Sequence, residues 1–86
     1  MRLPSVADSV VIADFDTELV VLVPEQRHAH LLEPLWAVLL DSCRRGDDRA
    51  DLVGELAAAT RWTTSDTDAW LDEALAELSR LGITAP

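Results

Sequence analysis

Apolar residues alternate in the manner of strands from Val10 to Leu32, and from Leu35 onward they recur at helical spacing. The first regime predicts extended chain and the second predicts helices. Val10–Phe15 reads as a first strand, with Val11, Ala13 and Phe15 on one face and Val10 and Ile12 on the other. Asp14-Phe15-Asp16-Thr17 supplies turn formers. Glu18–Val23 is a second strand, apolar on both faces, so both faces are expected to be at least partly covered. Pro24 opens the turn Pro24-Glu25-Gln26-Arg27, where it fixes one dihedral and offers no N–H. Arg27–Leu32 is a third strand returning antiparallel, more polar than its neighbour, as an edge strand should be.

The change of period falls at Glu33-Pro34, and proline suits the first helical position because its missing N–H is not needed there. Leu35, Trp36, Leu39, Leu40 and Cys43 form the apolar stripe of a first helix. Arg44 and Arg45 favour its negative end, and Gly46 is its stop. A second helix, capped by Asp47 or Asp48, runs to about Thr60 with Leu52, Val53, Leu56 and Ala57 inward. Gly54 inside it costs up to ~1 kcal/mol, which suggests that another element approaches closely. A third helix is capped by Ser65 with Asp68 three residues on, and Trp70, Leu71, Ala74, Leu75, Leu78 and Leu81 form its stripe. Gly82 is placed for a left-handed stop, with Ile83 able to contact Leu78. Residues 1–9, with Pro4, Ser5 and Ser9, read as a loose lead-in. The predicted whole is a single domain over residues 1–86 of the α+β class. A three-stranded antiparallel sheet is followed by three helices, an arrangement like a winged helix-turn-helix.

Composition narrows what such a domain can do. At 86 residues it buries roughly 60–65% of its unfolded surface, enough for one modest core and too little for a buried catalytic cleft. The net charge of −9, with no lysine, makes the chain a poor match for a polyphosphate backbone and receptive to a neutral or basic partner. The longest apolar run, Leu19–Val23, is far below the ~18 residues of a membrane span, and no signal core follows Met1-Arg2-Leu3-Pro4. Cys43 is the only cysteine, so no internal disulfide can form. A cytoplasmic location, without membrane or nucleic acid as partner, is the expectation.

Several residue groups invite chemistry. His28 and His30, two apart on a strand, share one face and could ligate a metal, but Glu33 is the nearest carboxylate and no third ligand is evident. They serve equally as polar residues of an edge or as pH-sensitive residues of a groove. Asp41-Ser42-Cys43 resembles the phosphopantetheine-accepting Asp-Ser-Leu of carrier proteins, except that Ser42 falls near a helix end rather than a start. Cys43 lies on an apolar stripe, where thiols are usually inert. Three helices with a hairpin could read DNA, yet the third helix carries Asp66, Asp68, Asp72, Glu73 and Glu77 against Arg80 alone. Of three tryptophans, Trp36 fits the core, whereas Trp70 is placed as a rim anchor for a peptide side chain. An edge at Arg27–Leu32 leaves main-chain donors and acceptors for an added strand, and blind backbone pairing leaves specificity to pockets between the strands and Trp70, Leu71, Ala74 and Leu75.

The order of elements, with Leu32-Glu33-Pro34, Leu39-Leu40-Asp41, Leu52-Val53-Gly54-Glu55-Leu56 and the closing Leu75-Ala76-Glu77-Leu78-Ser79-Arg80-Leu81-Gly82-Ile83, resembles the PqqD-like family over Val10–Ile83. These are the recognition elements of pathways that make ribosomally synthesised, post-translationally modified peptides. Glu33 stands where the family usually has asparagine, Leu40 where it often has an aromatic, and Ala74 where it often has a bulky residue. The resemblance implies a domain without catalytic residues or cofactor. Such a domain binds the leader segment of a precursor peptide as an extra strand and presents it to a leader peptidase or other maturation enzyme. The peptide-binding residues it implies are Arg27, His28, Ala29, His30 and Leu31 on the third strand and Thr67, Trp70, Leu71, Ala74 and Leu75 on the third helix. Ala74 should leave a cavity for an aromatic, proline or leucine side chain. The length is similar to that of free-standing domains of lasso-peptide clusters and of those serving radical-SAM maturases, with the lasso type favoured. The alternative from another class is a small winged-helix regulator acting through DNA or protein contacts.

Overall fold

The structure is a computed structural model that describes residues 2–15, 18–23 and 28–84. Strands β1 (Val11–Phe15), β2 (Glu18–Val23) and β3 (His28–Leu32) precede helices α1 (Pro34–Arg45), α2 (Arg49–Thr60) and α3 (Thr64–Arg80). The chain is thus α+β, with three helices and an antiparallel sheet of strand order β1-β2-β3. Val11 faces Leu22 and Phe15 faces Glu18 in the first pair, and Leu19 faces Leu32 and Val23 faces His28 in the second. Val10 falls just outside β1, and its N–H donates to the Ala7 carbonyl at 3.1 Å, closing the turn that leads into the strand.

One face of this sheet is covered. Val21, Val23 and Leu32 are buried with Leu39, Leu40 and Cys43 of α1, Leu52 and Leu56 of α2, and Leu71, Ala74 and Leu78 of α3. α1 packs on β2 and β3, and α2 packs on α3. On the opposite face, Val11 and Leu22 pair across β1 and β2 and both are exposed. Val20 on that face is half-buried and Leu22 is 41% exposed, so the second face of β2 is partly covered, as expected, while the helices pack on the first.

The helix ends follow local chemistry. Gly46, at φ 70°, ends α1 with its own N–H on the Cys43 carbonyl and the Asp47 N–H on the Ser42 carbonyl. Gly82, at φ 77°, does the same for α3: its N–H donates to Ser79 and that of Ile83 to Leu78 at 2.9 Å. These are the paired bonds of a Schellman stop, and Leu78 and Ile83 are both fully buried beside it. Asp48, not Asp47, caps α2 by accepting from the Ala50 N–H. Thr63, two residues before the expected Ser65, caps α3, its Oγ1 accepting from the Asp66 N–H at 3.0 Å. Thr63 and Asp66 have the same three-residue spacing as Ser65 and Asp68, so the local signal admitted both registers.

Two further expectations fail. Gly54 is exposed, and a methyl group built on it would meet nothing within 4 Å, so no element approaches it. Nor is the N-terminal segment loose. Arg2 bridges to Asp48, the Leu3 N–H donates to the Asp47 carbonyl at 3.0 Å, and the Ala7 N–H donates to the Ile83 carbonyl at 3.0 Å. Leu3 is buried and Val6, half-buried, bridges to Thr84, so these two apolar residues strap the start of the chain to the α1–α2 corner and to the end of α3. Among the described residues no helix is long and apolar enough to cross a membrane.

Candidate functional site

β3 is the last strand of the sheet, and among the described residues its second edge pairs with nothing; the isolated bridges of the chain lie elsewhere. The register shows which groups that edge offers. Two residues separate the paired Phe15 and Glu18, a spacing at which the closing pair is a hydrogen-bonded one. Bonded and non-bonded pairs then alternate, so Glu18, Val20 and Leu22 bond toward β1, and Leu19, Val21 and Val23 bond toward β3. Their partners Leu32, His30 and His28 are satisfied by β2, which leaves the N–H and C=O of Ala29 and Leu31 on the open edge. Ala29 is also exposed.

One residue, Glu33, joins β3 to α1, so the first turn of α1 sits at the end of this edge. Trp36 in that turn meets Trp70 of α3 in a T-shaped contact, with ring centroids 5.7 Å apart and planes at 69°. Trp62, before α3, also packs against Trp70, with centroids 6.1 Å apart and planes at 56°. Trp36 and Trp70 are half-buried, and Trp62 is 40% exposed. Three indoles thus meet where α1 and α3 come together.

The two flanks of α3 face different neighbours. Asp68 and Asp72, one turn apart, both accept from Arg49 Nη2 of α2, at 2.9 and 2.7 Å. The flank of Trp70 is the other one, and at helical spacing it carries Asp66, Glu73 and Glu77 as well. Glu77 is held below the usual carboxylate range by its hydrogen bond to Arg80.

The expected site residues divide accordingly. His28, Ala29, His30 and Leu31 form the open strand, with the side chains of His28, His30 and Leu31, and all of Arg27, outside the described residues. Trp70 and Leu75 are half-buried, but Leu75 falls toward the α2 side of α3, away from Trp70. Thr67 and Leu71 are fully buried and Ala74 is 2% exposed. Thr67 is satisfied internally, its hydroxyl donating to the Thr63 carbonyl at 2.8 Å. The cavity expected at Ala74 is thus corrected: its short side chain is closed over by the core. The sequence reading missed the joining of Trp62 and Trp36 to Trp70, because that contact spans three elements and has no local signature.

The other chemical candidates change too. Ser42, the carrier-type acceptor, is fully buried, so no transferase could reach its hydroxyl without local unfolding. Burial, then the charge of Asp47, pushes the Cys43 thiol up to about 11, the opposite of an activated nucleophile. Among the described residues no three His, Cys, Asp or Glu side chains gather to hold a metal ion.

The site is thus an open strand edge on an α+β scaffold, leading into the turn of α1 whose Trp36 meets Trp70 of α3. No family model matches the sequence, and no curated protein does. Two solved structures share its fold. One is TbiB1 in complex with the TbiA(beta) leader peptide, with a TM-score of 0.86 and 19% identity over 93% of each chain. The other is a lasso peptide synthetase B1 complexed with the leader peptide, with a TM-score of 0.86 and 17% identity over 94% of this chain and 95% of that one.

Proposed function

We propose that this chain is a non-catalytic recognition domain that binds the leader segment of a precursor peptide by strand addition and presents it to a leader peptidase or another maturation enzyme, in the manner of a lasso-peptide system. One observation carries the reading: Ala29 and Leu31 offer their main-chain groups on an open edge, and the strand leads through Glu33 into the first turn of α1, where Trp36 meets Trp70. An added strand satisfies such groups without needing a particular sequence, and neighbouring side chains then select among candidates. Two proteins of the same fold, each in complex with a leader peptide, support it. The residues assigned to the interaction are the β3 strand with Ala29 and Leu31 at its edge, and Trp70 on α3. Thr67, Leu71 and Ala74 act as the support behind Trp70.

On this proposal the winged-helix-like arrangement carries a peptide rather than DNA, since Asp66, Glu73 and Glu77 line the flank of α3 that faces away from α2. The test is titration of the cognate precursor's leader into the isotope-labelled chain. Binding with micromolar affinity or better, about −8 kcal/mol, and amide shifts concentrated at Ala29–Leu31 are expected. Shifts that leave β3 untouched at saturating leader rule the reading out.

A further inference from the structure

We infer that the segment accepted by β3 carries a basic side chain, which lies over the Trp70 indole and ends on the Glu73 carboxylate. The inference rests on the strand-addition reading above and gives the charge of the occupant. Trp70 and Glu73 are three residues apart on α3, so they are neighbours on one flank. It is the flank not occupied by α2, because Asp68 and Asp72 on the other side are engaged by Arg49. The Trp70 ring is fixed by two indoles, Trp36 at 5.7 Å and Trp62 at 6.1 Å, yet it remains partly exposed. Glu73 is exposed.

A guanidinium or ammonium group is the chemistry that uses both neighbours at once. Its cation is attracted to the face of an indole, its stem covers apolar ring surface, and its N–H groups donate to a carboxylate. Charge along the flank points the same way. Asp66, Glu73 and Glu77 stand on it, and the cation that offsets them is Arg80, hydrogen-bonded to Glu77 through Nε at 2.9 Å. The chain as a whole has 16 acidic residues against seven arginines, so an acidic segment would be repelled at long range as well as at the site.

The experiment selects binders from a display library of random, unstructured peptides on the full chain. The enriched peptides are then synthesised and titrated into the isotope-labelled protein. Arginine or lysine at one fixed position is expected among peptides that shift the Ala29–Leu31 amides. Glu73→Gln should weaken these about fivefold, and about tenfold higher salt should weaken them as well. Asp72→Asn removes the same charge from the opposite flank and should leave affinity unchanged. Peptides that shift β3 but show no basic position, or that bind Glu73→Gln and wild type equally, overturn this inference and leave strand addition standing. Failure of every selected peptide to shift β3 overturns both.

Discussion

Trp36 and Trp70 meet edge to face, centroids 5.7 Å apart, at the place where β3 has just handed the chain to α1. The contact ties the first turn of α1, which directly follows β3, to the middle of α3. A pair of this geometry contributes about 0.5–1.5 kcal/mol beyond its buried area. In a double-mutant cycle of Trp36→Leu and Trp70→Leu, urea unfolding should give a coupling of about 1 kcal/mol. Strict additivity of the two losses would mean that the rings do not depend on one another.

The hydrogen-bond alternation makes Ala29 and His30 opposites. Ala29→Pro removes an N–H from the open edge, so leader binding should be lost while the thermal midpoint stays close to wild type. His30→Pro removes an N–H directed to Val21 of β2 and should destabilise the sheet itself. Circular dichroism melts beside calorimetric titration separate the two, and a reversed outcome would shift the bonding phase by one residue.

Ala74 is nearly completely buried among α3, the other helices and the sheet. Ala74→Trp should therefore overpack the core and cost about 1–3 kcal/mol or more in urea unfolding. An unchanged midpoint together with lost leader binding would return Ala74 to the groove.

Gly54 sits exposed inside α2 with open space where a Cβ would be. Gly54→Ala should raise stability by about 0.5–1 kcal/mol, through helix propensity alone. A loss on this substitution would require a contact that the helix does not make.

Cys43 sets a pH dependence. Its thiol titrates near 11 in the fold, mainly because burial disfavours the thiolate, against 9.0 for the ordinary group. The folded state therefore holds this proton more tightly than the unfolded chain. The corresponding stability is fully present below about pH 9 and is lost as the pH rises toward 11. Cys43→Ala should flatten that part of the stability profile. In the wild type, alkylation of the thiol at neutral pH should be slow until denaturant is added.

Much of this molecule is decided by order along the chain. The switch of period at Glu33-Pro34, the left-handed stops at Gly46 and Gly82, and the Leu78–Ile83 contact are products of neighbouring residues, because strand alternation, proline geometry and Schellman bonds operate within a few positions. Local signals also explain the errors of register: Thr63 with Asp66 and Ser65 with Asp68 satisfy the same capping rule, and only the packing of α3 decides between them. What tertiary structure alone settled is whatever depends on distant partners. Leu3 and Val6 become a strap only because the end of α3 and the α1–α2 corner lie beside them. Ala74 becomes core, Leu22 remains exposed and three separated tryptophans become one cluster, since burial is a property of what comes to cover a residue and not of the residue itself.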